Sequence, residues 1–322
     1  MKPEQISAEG LPDYKFKWSF LAPKYWLLWL WFAILWLVSR LPYRVFCFIA
    51  RSVGLLFMLV GKERRVVAER NVELCYPELS EKERKHIVRE SFAGAGMSLF
   101  ESGYVWWPVK RHLDRTSIQG LEHIENARAR GENILMFTCH NTPLEACFGP
   151  LANIIGGISV VFRVHNNACW EYVSGVGRLK YQFHMVPKKA IKFFISNMQK
   201  GKVSLIAPDQ DFGPKRSLFV PFFNIPTASV PTVPDTARQA NASVFFVEIN
   251  RKPYQSCHVV IHPKLEKFPS GDNEADTALT NQITEDCIRR SPGDYLWHHR
   301  RFKTRPPGEP EVYPKKKKRK KR

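Results

Sequence analysis

The sequence has no C-x-x-C pair, and its seven cysteines, at positions 47, 75, 139, 147, 169, 257 and 287, are odd in number and scattered. That spacing indicates neither a disulfide framework nor a zinc ribbon, and it fits reduced thiols in a cytosol-facing domain. There is no H-E-x-x-H, and His298-His299 are neighbours rather than partners at ligand spacing, so no metal site is indicated. Helix-turn-helix, zinc-finger and RRM signatures are missing too. No internal repeat occurs, and the single low-complexity stretch is the terminal Lys315–Arg322. Negative charge is scarce: 30 acidic residues face 49 basic ones, a net charge of +19. Eight of the positive charges are that last stretch, and the rest of the chain still carries about +11. A body that basic suggests an anionic partner, either nucleic acid, anionic lipid or an acidic protein.

What the front of the chain has is a run without charge. Tyr25–Val38 is fourteen apolar residues, four of them tryptophan. A spanning helix needs ~20 such residues, so the run is marginal even with Phe20–Ala22 added and Lys24 snorkelling. Arg40-Leu41-Pro42 follows where a signal peptide would carry small residues, which favours an anchor. Four tryptophans suit an interfacial belt better than a core helix. Val45–Val60, interrupted by Arg51, fits a helix lying in the interface with its charges turned outward. Basic residues weakly favour the side after the first run, which places the body on the cytoplasmic side. The expected division is a polar segment over 1–22, an anchor and interfacial helix over 23–65, an α/β domain over 66–306 and a disordered polybasic tail over 307–322. The tail is expected to attach to anionic headgroups, against the plainer reading of a solvated end.

Beyond that front the pattern alternates. Ser80-Glu81-Lys82-Glu83 is a capping box opening a helix to about Tyr104. Strands are expected at 133–139, 158–162, 184–186, 203–207, 244–249 and 258–261. Helices are expected at 143–153, 170–180, 189–199 and 275–290. Such alternation predicts an α/β fold, a mixed sheet with helices on both faces, preceded by the N-terminal helical membrane anchor. Ligands in such folds gather at the carboxyl ends of strands. Three polar clusters stand there: His140–Glu145, Arg163–Asn167 and Asp209–Asp211.

The first cluster is an H-x4-E. A histidine titrating near neutrality can take a hydroxyl proton, and a carboxylate on its other nitrogen would fix the tautomer. Thr142-x-x-Glu145 around Pro143 is also a good capping box, in which Glu145 would only bond backbone amides. Arg163 at a strand end offers a bidentate grip on phosphate or carboxylate; the plainer reading is a structural ion pair. Asp209 and Asp211 could orient Arg163 or bond sugar hydroxyls; the plainer reading is a turn rich in Asp, Gly and Pro.

Taken in order, Tyr25-Trp26, the Arg70–Pro77 block RNVELCYP, the H-x4-E, the Ala207–Pro214 block APDQDFGP, Phe219–Phe223 and the His298–Pro306 block HHRRFKTRP resemble the bacterial lipid A late acyltransferases. The likeness runs from about Pro23 to Pro306, and its H-x4-E is shared with the wider glycerolipid acyltransferase superfamily. The resemblance implies an acyl-[acyl carrier protein] donor, a Kdo-bearing lipid A precursor as acceptor, contact with inner-membrane phospholipids, and no metal or organic cofactor. Carried over, His140 is the general base and Glu145 its orienting acid. Arg163, Asn166, Arg178, Asp209 and Asp211 are the substrate-binding residues, with Arg163 a candidate oxyanion donor by its charge. Lauroyl transfer is favoured over myristoyl. A glycerophospholipid acyltransferase is the rival of the same class, and a basic nucleic-acid-binding protein the rival of another.

Overall fold

Helix α4 shows how local sequence fixes an element here. The Ser80 hydroxyl accepts from the Glu83 N–H at 3.3 Å and the Glu83 carboxylate accepts from the Ser80 N–H at 2.8 Å, the reciprocal bonds of a capping box. The computed structural model describes residues 12, 14–252 and 255–314. Before α4 come α1 (Trp26–Arg40), α2 (Tyr43–Val60) and α3 (Lys62–Cys75); α4 itself is Glu81–Trp106. The body then runs α5 (Lys110–Leu113), β1 (Thr116–Gln119), α6 (Leu121–Ala129), β2 (Asn133–Phe137), α7 (Leu144–Ile155), β3 (Ile158–Phe162), α8 (Ala168–Leu179), β4 (Phe183–Pro187), α9 (Ile191–Gln199) and β5 (Val203–Ile206). It ends with β6 (Leu218–Phe222), β7 (Ile225–Ser229), α10 (Thr232–Ala240), β8 (Ala242–Lys252), β9 (Gln255–Lys264) and α11 (Asn273–Arg290). The polybasic Lys315–Arg322 lies outside the described residues.

Seven strands form one mixed sheet in the order β1-β9-β8-β2-β5-β3-β4, parallel throughout except for the β8–β9 pair. Side chains alternate across β2. Ile134 and Met136 join Phe148, Leu151 and Ile155 of α7 on one face. Leu135 and Phe137 join Phe194 and Met198 of α9 and Val233 and Ala237 of α10 on the other. The mixed sheet covered on both faces is therefore the fold the alternation predicts. One consequence of the order lies beyond sequence reading: the chain passes from β2 to β3, then to the edge strand β4, and returns to insert β5 between β2 and β3. The loops after β2 and β5 thus become neighbours although 69 residues separate His140 from Asp209.

The first two helices do not stand apart from the body. Residues of α1, α2, the C-terminal half of α4 and α8 share an aromatic-rich core containing Phe32, Phe46, Phe100, Tyr104 and Trp106. Helix α2 meets α4 backbone to backbone, because a side-chain carbon at Gly54 would fall 2.1 Å from the Phe92 carbonyl oxygen and one at Gly96 would fall 2.2 Å from that of Ala50. The outer faces stay bare: Trp26, Leu27, Leu30 and Leu37 on α1, and Phe48, Leu56, Leu59 and Val60 on α2, are exposed. By length and composition α2, not the tryptophan-rich α1, is the described helix apolar enough to cross a membrane. Of its two arginines, Arg51 donates to both carboxylate oxygens of Glu90 on α4 at 2.9 and 2.8 Å.

Several parts of the body carry no expectation above, among them α3, α5, α10, β1, α6 and the β6–β7 hairpin. Strand β1 and helix α6 are short and lead into the sheet edge. The β6–β7 hairpin turns through Phe223 and Asn224, both at positive φ. A bulky residue seldom takes that conformation. Here the Phe223 ring is buried against Tyr76 and Trp297 while its N–H donates to Glu285 at 2.6 Å, so tertiary contacts impose the turn.

Candidate active site

The loop that leaves β2 is fastened before any reacting group is considered. The Asn141 side chain donates to the Ile249 carbonyl at 2.7 Å, and Leu296 N–H donates to the His140 carbonyl at 3.0 Å. Thr142 Oγ1 accepts from Arg251 at 2.6 Å, and Arg251 in turn is bonded to Glu101 of α4 at 3.1 and 2.5 Å. Helix α7 follows with Pro143 at its N-cap and no side-chain cap bond. The Thr142–Glu145 capping box is therefore not formed: Thr142 is taken by Arg251, and Glu145 faces elsewhere.

His140 is held by Asp209. Its Nδ1 lies 2.7 Å from Asp209 Oδ1, and its own backbone N–H donates to Asp209 Oδ2 at 3.0 Å. Asp209 is 3% exposed while the His140 side chain keeps 30% exposure, so the carboxylate is sealed and the imidazole is reachable. Burial opposes a charged imidazole, but the charge and hydrogen bond of Asp209 outweigh it and raise the His140 pKa above the ordinary 6.5. Burial would likewise raise the Asp209 carboxyl. His140, by charge and by both its hydrogen bonds, with the more distant charge of Arg301, holds it down at about 2. With Nδ1–H donated to Asp209, the Nε2 lone pair is left for the cavity.

Glu145 is not the partner of that imidazole, which corrects the expected His140–Glu145 pairing. Its carboxylate accepts from Arg178 Nε and Nη2, both at 3.0 Å, and from the Trp106 indole N–H at 2.8 Å. Two causes combine. The insertion of β5 brings Asp209 to His140, and α8 lies close enough to α4 for Arg178 to reach Glu145. That closeness needs Gly177, where a side-chain carbon would be 2.4 Å from Trp106 Cα. The Arg178 charge is disfavoured by burial, yet Glu145 more than compensates and its pKa is raised.

His140, Glu145 and Arg178 line one cavity of 290 Å³, together with Arg163, Phe162, Gln210 and Lys188, while Asp209 lies sealed behind His140. Arg163 is exposed and has no ion pair or hydrogen bond among the described residues. Lys188, which follows β4, was not anticipated, although the strand-end rule that selected Arg163 applies to it equally; its ammonium stands 4.5 Å from the centre of the Phe212 ring. Asn166 is exposed and does not line the cavity. Asp211 does not line it either, because its oxygens accept from Gly213 N–H, Thr304 N–H and the Thr304 hydroxyl at 2.6 to 2.9 Å. That bonding ties the loop to the HHRRFKTRP block, as does the Asp211 N–H, which donates to His299 Nε2 at 3.1 Å. The same block is fastened from the front of the chain: Asn71 donates to the carbonyls of Trp297 and His299 at 2.8 and 2.7 Å. Both long blocks thus brace the site from behind. Among the described residues no three His, Cys, Asp or Glu side chains cluster as metal ligands would.

A carboxylate-held histidine with a free Nε2, in a cationic cavity at the carboxyl edge of an α/β sheet, defines a site for base-assisted transfer to a hydroxyl. The comparisons with known proteins narrow it. Residues 13–304 match the bacterial lipid A biosynthesis acyltransferase family, and the chain belongs to that family. It is an acyltransferase of lipid A biosynthesis. The lipid A biosynthesis lauroyltransferase of Escherichia coli (strain K12) is 37% identical over 302 residues, covering 93% of this chain and 98% of the relative. The palmitoleoyltransferase of the same strain is 35% identical over 307 residues, covering 94% and 99%. The myristoyltransferase is 28% identical over 321 residues, covering 98% of both.

Proposed function

We propose that this acyltransferase moves a lauroyl group from an acyl-[acyl carrier protein] thioester to a hydroxyl of a Kdo-bearing lipid A precursor, with His140 as the general base. The observation that carries the reading is the 2.7 Å contact between His140 Nδ1 and the sealed carboxylate of Asp209. His140 Nε2 takes the proton of the acceptor hydroxyl as its oxygen attacks the thioester carbonyl. The negative charge that develops on the carbonyl oxygen is met by Lys188 and Arg163. Collapse of the tetrahedral intermediate expels the thiolate, and the imidazolium returns the proton to it. Asp209 keeps Nδ1–H throughout and stabilises the imidazolium. Glu145 acts one step removed, holding Arg178 and the α8 wall in place. The protein acts at the inner membrane with its catalytic domain facing the cytoplasm, resting on the bare apolar faces of α1 and α2.

The test supplies purified enzyme with lauroyl, myristoyl and palmitoleoyl carrier-protein thioesters and the Kdo-bearing precursor, and weighs the product by mass spectrometry. A product heavier by one lauroyl group is expected, lost in His140→Ala. Acylation of a lysophospholipid or glycerol phosphate in place of the precursor would overturn the acceptor assignment. Preference for another thioester would overturn the lauroyl one.

A further inference from the structure

Between Glu171 and Asp209 the sequence contains no acidic residue, yet it contains seven arginines and lysines. The fold gathers part of that charge with residues from two other loops. Arg163 follows β3; Lys188, Lys189 and Lys192 follow the edge strand β4; Lys215 and Arg216 lie in the loop after β5. Because β5, β3 and β4 are adjacent and parallel, all six follow the carboxyl ends of neighbouring strands, and Arg163 and Lys188 line the cavity that His140 lines. All six are exposed, and none has an ion pair among the described residues. Several surface cations elsewhere are matched, among them Arg130 by Glu132, Arg290 by Glu248 and Arg305 by Glu309. Six unmatched like charges repel one another, which a fold has no reason to concentrate unless an anionic partner covers them. Two exposed apolar side chains accompany them: Phe212, which lines the cavity under Lys188, and Ile191, next to Lys192 in the chain.

We propose that this rim is the docking surface for the acidic carrier protein that delivers the acyl thioester, an inference that rests on the acyl-transfer reading above. A carrier presents its thioester at the end of a flexible arm, so its body must sit at the mouth of the cavity while the arm enters. The rim offers what an acidic protein surface needs, a set of cations accompanied by apolar side chains. A bilayer is the less suitable occupant. The bare apolar helices α1 and α2 belong to the core shared with α4 and α8, whereas α9, behind the rim, packs against α10 and the sheet.

The test uses the full chain carrying Lys189→Glu, Lys192→Glu, Lys215→Glu and Arg216→Glu together, leaving Arg163 and Lys188 intact because they line the cavity. Affinity for acyl carrier protein is measured by titration, apart from turnover, alongside kcat with a lauroyl thioester of free pantetheine. The expected result is a Kd raised about tenfold or more at low salt, with the salt dependence largely gone and kcat on the small thioester unchanged. An unchanged Kd for the carrier overturns the proposal. So does loss of binding to vesicles of anionic phospholipid with carrier affinity intact, which would make the rim a membrane contact. A wild-type protein that binds the carrier through these residues and transfers nothing would defeat the acyl-transfer reading alone and still support the docking surface.

Discussion

On the floor of the cavity the charges come in matched pairs: His140 with Asp209, and Glu145 with Arg178. At the rim, Arg163, Lys188, Lys189 and Lys192 carry charge with no ion-pair counterpart among the described residues. The difference separates two tasks. A buried pair fixes geometry and protonation, since removing one member leaves an uncompensated charge that is strongly destabilising. An unmatched exposed cation fixes little in the free protein and is available to a ligand. Floor substitutions should therefore change how the rate depends on pH or how well the protein folds, and rim substitutions should change binding.

The largest expected effect is that of His140→Ala, which removes the group that takes the proton. Initial rates at saturating substrates should fall ~10²–10⁴-fold, and the melting temperature should drop as well, because the sealed Asp209 carboxylate loses its partner. Asp209→Asn comes next, at roughly 10²-fold or more in kcat/KM. Its diagnostic is the pH profile. The base works only when neutral, and Asp209 raises the His140 pKa, so wild-type activity should climb through a midpoint above the ordinary 6.5. Without the carboxylate, burial dominates and the midpoint should move to lower pH, while the plateau falls. A merely structural role for Asp209 would lower the plateau and leave the midpoint alone.

How much of this was legible in the sequence follows from what strand-end reasoning can do. Apolar runs closed by polar clusters correctly mark the edge where His140, Arg163 and Asp209 meet, since that depends only on where each strand stops. Partnership across the edge depends on strand order, which no local pattern encodes. The return of β5 between β2 and β3 gives His140 to Asp209, and the Gly177 contact gives Glu145 to Arg178. Asp211, two residues from Asp209, looked equivalent to it in sequence, but it is occupied by Thr304. At the apolar front, residue type draws attention to the tryptophans of α1, whereas length and composition single out α2 among the described helices.

Two smaller effects sharpen the contrast. Arg163→Lys keeps the charge and loses the planar fork, so a bidentate grip on substrate would weaken by roughly 10- to 100-fold, the worth of a charged hydrogen bond. The loss should fall on kcat/KM with melting unchanged; a wild-type value would show that only diffuse charge matters there. Glu145→Gln leaves the Arg178 charge without its counterpart but does not touch the imidazole. Its melting temperature should drop and its rate fall roughly tenfold or less, less than the ~10²-fold minimum for loss of the base. The pH midpoint should stay at the wild-type value. A midpoint that moved with Glu145→Gln would restore Glu145 as the imidazole's partner.

The central claim is that Asp209 fixes the His140 tautomer, and ¹⁵N NMR of histidine-labelled protein above the His140 midpoint tests it most directly, with His140→Gln assigning the signal. The account predicts a protonated Nδ1, bonded to a carboxylate, and a bare Nε2, with that signature lost in Asp209→Asn and kept in Glu145→Gln. A protonated Nε2 in the wild-type protein would contradict it, because the nitrogen facing the cavity would then have no lone pair with which to take a proton.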